Sequence, residues 1–230
     1  MSFVHSPKIV TDGLVLSLDA GNTKSYMSGS TTWFDKSGLN NNGTLTNGPT
    51  FNSANGGSIV FDGVNDIINL GSGTTFNLGG VGKTFSINLW FNSKLWTSAW
   101  QALITKGDTS WRVHRYQSDS PVKLAFGTQG LSVVDTFTST IFTTNTWFNV
   151  VCIYDGTSKK IYVNGSLDSN VSVGGTLLDN SYPVYIGENA QAIGRYFNGN
   201  LSNVQIYNRA LSAQEVLQNY NATKSRFELI

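Results

Sequence analysis

Apolar and polar positions alternate along most of this chain, in short runs separated by clusters of Gly, Asn, Ser and Thr. The clearest run is 84–92 (TFSINLWFN), where Phe85, Ile87, Leu89 and Phe91 share one face. A period of two is the signature of a strand with one buried face. Similar runs predict strands at 14–19, 58–62, 67–70, 102–106, 111–116, 123–126, 131–137, 159–163, 166–173, 182–186 and 201–207. Residues 147–154 read as a longer strand, buried over most of its length, around Val150-Val151-Cys152-Ile153-Tyr154. The 58–62 and 67–70 runs are expected to form a hairpin across 63–66. A second hairpin is expected at Asn164-Gly165, because that dipeptide tolerates the two positive φ angles of a tight hairpin turn. Residues 21–49 read as a loop interrupted by Trp33-Phe34.

About thirteen strands with no helix between them predict a two-sheet sandwich or a barrel. The apolar rhythm is not broken by a linker. One domain is therefore expected at 13–220, with an N-terminal arm at 1–12 and a C-terminal tail at 221–230 that docks on something. A single helix is predicted near the end. Ser212 stands at its N-cap and Glu215 three residues later, the spacing of a capping box, with Leu211 and Val216 placed as a hydrophobic staple. Val216, Leu217 and Tyr220 form its predicted apolar face. One helix cannot make a layer, so it is expected to plug an open end or edge of the β structure.

Composition narrows the functional classes. Hydrophobic residues make up 40% of the 230, enough for a core, but charged residues only 13%, about half the usual share. Asn and Gly number 24 each, and such residues supply turns and suit surfaces that meet sugar hydroxyls. A net charge of +1 without a basic run argues against nucleic acid. The densest basic spot, Lys159-Lys160, is read as part of a turn. The one cysteine, Cys152, sits in an apolar run and is expected to be a buried thiol. No basic and apolar leader is visible at the start and no stretch has the length of a membrane span, so a protein made in a cytoplasm, without membrane insertion, is expected. The five Asn-X-Ser/Thr sequons match chance for this composition and carry no information.

Six segments in order, GLVLSLD, WFDKSGLNNNGTLTNGP, IVFDGVNDIINLG, TFSINLWF, WFNVVCIYDGTSKKIYVNG and FNGNLSNVQIYNRALSAQEV, make the chain resemble laminin-G-like jelly-roll domains of the concanavalin A-like lectin/glucanase superfamily, of the stand-alone type seen in bacteriophage proteins. The resemblance spans about residues 13–220. It implies an all-β, two-sheet antiparallel jelly-roll sandwich with one short C-terminal helix packed at the sandwich end. It also implies a non-catalytic carbohydrate-binding or adhesion role, as a capsid decoration, fibre or receptor-binding element on a virion surface. The implied partners are a cell-surface glycan, other virion proteins and further copies of the chain. A purely structural virion protein and a glycan-cleaving enzyme are the alternatives.

Individual residues bear on these alternatives. Glycoside hydrolysis usually needs two positioned carboxylates. The chain has three glutamates, Glu188, Glu215 and Glu228, and no Glu-X-Asp-X-Glu; His5 and His114 are far apart. The Asp35–Asn42 stretch offers hard oxygen donors, with Asp35, Ser37 and Asn40 as candidate Ca²⁺ ligands. The competing reading is that Asp35 caps a turn and the asparagines take left-handed positions; Asp62 and Asp66 divide the same way. Residues 95–116 are the candidate glycan or partner surface. Trp96 and Trp100 fall in a loop, and Arg112, His114 and Tyr116 alternate with Trp111 along a strand. Trp111 fits the core as well as it fits a binding face. Trp33, Trp90 and Trp147 are assigned to the core.

Overall fold

The computed structural model describes residues 7–117 and 120–227; His5 and Glu228 lie outside them. One antiparallel sheet contains β1 (Leu14–Asp19), β4 (Thr50–Asn52), β5 (Ser58–Asp62), β7 (Phe85–Ser93), β12 (Trp147–Tyr154), β13 (Ser158–Val163), β14 (Ser166–Ser172) and β16 (Asn198–Tyr207). The other contains β2 (Thr32–Trp33), β3 (Gly43–Thr46), β6 (Ile67–Asn69), β8 (Ala102–Thr105), β9 (Trp111–Arg115), β10 (Leu124–Thr128), β11 (Asp135–Phe137) and β15 (Tyr185–Ile186). The first sheet runs β14-β13-β12-β7-β16, after which β5-β4 and β1 lie beside opposite halves of β16; the second runs β11-β10-β9-β8-β15-β6-β3-β2. This is the expected jelly-roll sandwich. Its core is built from inward positions of both sheets, among them Phe61, Phe85, Ile87, Leu89, Phe126 and Ile206.

The Asn164-Gly165 hairpin forms as expected, with φ of 49° and 80°. The 58–70 hairpin does not. β5 and β6 belong to different sheets, and the chain turns the corner between them on side chains: Asp62 Oδ1 accepts from the Val64 and Asn65 N–H groups, and Asp66 Oδ2 from Asp62 N–H. Alternation is identical for a hairpin and for a corner, because both keep one face in the core. Strand 131–137 is also shorter than expected, running only over Asp135–Phe137, while Leu131 makes an isolated bridge to Gly175. The supposed turn at Lys159-Lys160 lies inside β13. Lys160 pairs with Asp155 at 2.7 Å. Lys159 is fully buried and donates across the sandwich to the carbonyls of Phe126 (2.7 Å), Val134 (2.8 Å) and Val133 (3.2 Å). Burial pushes its amine down to about 7, against the pull of Asp135. Cys152 is buried, and burial pushes its thiol well up.

The helix α1 (Ala213–Thr223) has the capping box: Glu215 N–H donates to Ser212 Oγ at 3.2 Å and Ser212 N–H to Glu215 Oε2 at 2.8 Å. Its position differs from the expectation. It lies on the outer face of the first sheet, not at an end, because β12 is apolar on both sides. Val150 and Cys152 enter the core, while Val151 and Ile153 meet Tyr162, Tyr207, Leu211 and Val216 outside it. Leu217 is exposed and Asn219 takes its place on the buried face. The Asn219 amide accepts from Val10 N–H (2.8 Å) and donates to the Tyr207 hydroxyl (3.0 Å), tying down the N-terminal arm. Beyond the helix residues 224–227 are part of the fold. Phe227 stacks on Trp90 at 4.1 Å and contacts Trp147 at 4.7 Å. Trp90 and Trp147 are thus buried in this outer cluster, whereas Trp33 is in the main core. Among the described residues no helix is long and apolar enough to cross a membrane.

Candidate functional site: an aromatic strip on the second sheet

Residues 95–116 run through β8 and β9 of the second sheet, and the strand pairing sorts them between its two faces. β9 points Trp111 and Val113 into the core. Trp111 is 0% exposed and its Nε1 donates to the Phe76 carbonyl at 3.2 Å, which removes it from the candidate surface. Trp96 is also displaced from that role: its ring plugs the core edge against Phe91 and Phe197, each at 6.2 Å. Arg112 and His114 do face outward, but both are buried.

Small neighbours explain how Arg112 lies flat. Gly127 pairs opposite it on β10, and a Cβ there would stand 2.7 Å from the guanidinium. The guanidinium reaches over that glycine to Asp135 Oδ1 (3.2 Å), donates to the Asp108 carbonyl (2.8 Å) and meets His114 Nε2 (3.2 Å). His114 Nδ1 faces the Arg115 carbonyl at 2.7 Å, so a proton there leaves Nε2 as acceptor for Arg112. Asp108 also holds Arg195 through both oxygens at 2.6 and 3.0 Å. Burial opposes the charge on Asp108, but the Arg195 and Arg112 guanidinium groups hold its carboxyl below the ordinary range. On Asp135 burial likewise opposes the charge, and the Arg112 guanidinium at 3.2 Å helps hold the carboxyl below the ordinary range. Glu188 is buried too, its oxygens taking the N–H groups of Asn189, Gly194 and Arg195. A glycosidase needs a carboxyl kept protonated as acid; these are held ionised or spent on backbone donors.

Above the network sits a row of rings. Trp100 lies 5.4 Å from His114 and 5.7 Å from Tyr116, and Tyr116 lies 4.1 Å from Phe137 on β11. Trp100 has a left-handed φ of 62°, a conformation that bulky residues hold only when their surroundings impose it. Arg115 supplies part of that restraint by donating to the Trp96 and Ser98 carbonyls of the same loop. Phe137 is 40% exposed. Tyr116 and Phe137 continue into a depression of about 320 Å³ completed by Ser120, Pro121 and Lys123. Of the six candidates, Trp100, His114, Arg112 and Tyr116 are thus brought together, the middle two as support beneath the rings. Phe137, Pro121 and Lys123 were not legible in the sequence, since the register of β9, β10 and β11 decides that they meet.

The Asp35 loop does not fit a calcium ion. Asp35 Oδ1 accepts from the Ser17 and Ser37 N–H groups, both at 2.8 Å, and Oδ2 from the Ser37 hydroxyl (2.6 Å) and Asn41 N–H (3.0 Å). These donors occupy the lone pairs a cation would need. Asn40 is a left-handed turn residue, φ 58°, exposed to solvent. The loop's chemistry is that of a capped turn locked to β1. Among the described residues no group of three His, Cys, Asp or Glu side chains is placed to hold a metal.

The model of the Laminin_G_3 family, described as concanavalin A-like lectin/glucanases superfamily, matches residues 61–217. The chain belongs to that family. No curated protein matches it. Among solved structures, the binding domain of Paraclostridial Mosquitocidal Protein 1 superposes with TM-score 0.72 at 19% identity over 92% of this chain and 52% of that one. Domain 4 of AbnA, an extracellular GH43 arabinanase from Geobacillus stearothermophilus solved with arabinotriose, superposes with TM-score 0.67 at 18% identity, over 90% of this chain and 98% of the domain. Trypanosoma rangeli sialidase gives TM-score 0.68 at 14% identity, over 97% of this chain and 36% of that one. The chain spans about half of the mosquitocidal binding domain. At these identities the likeness establishes the fold.

Proposed function

We propose that this protein is a non-catalytic carbohydrate-binding domain and that the Trp100–Tyr116–Phe137 strip is its sugar-contacting surface. The observation that carries the reading is a row of touching, partly exposed rings held on a rigid polar base. Aromatic faces cover the apolar C–H faces of sugar rings, while polar groups at the rim, here Lys123 and Ser120, donate to hydroxyls. The Arg112–His114–Asp135 network keeps the rings in place before binding, so little side-chain entropy is lost on association. The arabinotriose complex of the AbnA domain supports an oligosaccharide ligand. Toxin binding domains among the similar structures support a receptor-binding role. The proposal extends to the setting implied by the sequence resemblance: a homo-oligomeric component of a bacteriophage virion surface that meets a cell-surface glycan.

The test is the double variant Trp100→Ala/Phe137→Ala, assayed on a glycan array, by oligosaccharide titration and for incorporation into particles. Loss of sugar binding by at least about tenfold with fold and assembly intact is the expected result. Intact sugar binding removes the strip as the site. Intact sugar binding with failed incorporation marks the strip as a protein interface instead.

A further inference from the structure

A second recessed surface lies at the other end of the second sheet, far from β9–β11 in strand order. There the chain leaves β3, crosses to the first sheet through Asn47-Gly48-Pro49 and enters β4. A depression of about 530 Å³ lies on one side of the crossing, with Tyr26, Leu45 and Phe51 as its apolar floor and Ser28 and Thr31 on its rim. Another of about 490 Å³ lies on the other side, bounded by Asp62, Asp66, Lys94 and Asn198. Asn47, Gly48 and Thr50 line both, so the two depressions adjoin along this segment, a groove in two lobes with the 47–48 turn as the saddle between them.

The walls are braced. Asn47 and Gly48 hold left-handed φ angles of 67° and 106°, and the Asn47 amide donates to the Asn65 carbonyl at 2.9 Å, fixing the saddle to the 62–66 corner. The Tyr26 hydroxyl donates to the Ser30 carbonyl at 3.0 Å and its ring leans on Phe51 at 5.5 Å, fixing the far wall. Preformed clefts of this size with a few polar groups around an apolar floor are the usual form of small-ligand sites.

We infer that this groove is a second saccharide site, taking a neutral oligosaccharide that lies across the Asn47-Gly48 saddle. The first lobe has no charged residue, and its exposed groups are hydroxyls and one amide above a half-buried phenyl ring. That chemistry matches a ring with one C–H face and several hydroxyls. The second lobe sets two carboxylates against one ammonium. It can exchange hydrogen bonds with hydroxyls, but its net negative charge disfavours a uronic or sialic acid. The groove shares no lining residue with the aromatic strip, so the two sites stand or fall separately and would give the domain two points of attachment to one glycan surface.

The experiment is amide-resolved NMR of the full chain, titrated with arabino-, xylo- and gluco-oligosaccharides and with an oligouronate. Saturable shifts at Asn47, Gly48, Thr50 and Asp62 are expected with a neutral oligomer, and they persist in Trp100→Ala/Phe137→Ala. Thr50→Arg, at an exposed edge position, is expected to weaken them at least about tenfold while the strip still responds. Asn47→Gly keeps the left-handed backbone, removes the amide and is expected to weaken the same shifts. A silent groove beside a responsive strip overturns the second site and leaves the proposed function standing. A responsive groove beside a silent strip does the reverse. Groove shifts insensitive to Thr50→Arg, or a preference for the uronate, overturn the inference.

Discussion

Lys159→Met is the most informative single substitution for stability. The ammonium of Lys159 spans the sandwich from β13 to three carbonyls of the opposite sheet and its β10–β11 connection, with the Phe126 ring 5.0 Å away. Methionine keeps most of the apolar stem and removes every donor. The Val134 carbonyl keeps the Thr128 N–H as a donor at 2.8 Å, whereas a buried carbonyl left without one costs about 1–3 kcal/mol, so a loss of about that size is expected at alkaline pH. The cost depends on pH in a definite direction. Burial lowers the lysine from 10.5 to about 7. Between those values the unfolded chain holds a proton that the folded chain has released, so stability rises with pH across this window. The full lowering corresponds to at most about 5 kcal/mol, at roughly 1.36 kcal/mol per decade of acidity. Below about pH 7 the wild type carries the cost of a buried charge that the methionine variant avoids, so the gap between the two narrows. Urea midpoints of both proteins at pH 6, 8 and 9.5 read this directly, because groups common to both cancel. A gap that stays constant with pH would show that the amine is not titrating inside the fold.

Other substitutions probe separate parts of the structure. Ser212→Ala breaks one half of the capping box and is expected to cost about 0.5–2 kcal/mol, read as a lower denaturant midpoint; no change would mean the cap contributes nothing. Glu215 is held down to about 2 by Arg209 and the Ser212 N–H, so its contribution is complete above its ordinary pKa and fades as pH falls toward 2; Glu215→Gln should flatten the acid limb of the stability curve. Phe227→Ala removes the ring between Trp90 and Trp147 and is expected to cost about 3 kcal/mol and to expose tryptophan fluorescence to quencher, whereas unchanged quenching would detach the tail from the fold. Asp35→Asn weakens four hydrogen bonds to an ionised acceptor, about 2 kcal/mol, while chelator should leave the melting curve of the wild type unchanged; a chelator-sensitive melt would restore calcium to this loop.

Much of this architecture is written in local pattern. The alternation in 84–92, the Asn164-Gly165 turn and the Ser212/Glu215 box each depend on residues within a few positions of one another, and each appears as expected. The candidate surface was legible only in part. Trp100 and Tyr116 stood out as aromatic residues in or beside a loop, yet nothing local distinguishes Trp111, turned inward by the pleat, from Trp100, turned outward by a left-handed backbone. Leu201 and Val204 break the period of two and still share the core, because a bulge between Leu201 and Asn203 resets the register.

The sequence by itself therefore determined most of the elements, the all-β class and a surface poor in charge. Strand period, turn propensity and capping act over a few residues, and a chain states them without reference to anything distant. Tertiary structure decided the rest. Pairing β9 with β10 and β10 with β11 placed Phe137 beside Tyr116 and Asp135 beside Arg112. Crossing from β3 to β4 opened the groove at Asn47, and the two-sided apolar face of β12 drew α1 across the sheet. Each of these is a contact between positions far apart in the chain, selected by which buried faces and polar groups can be satisfied together. That selection has no local signature.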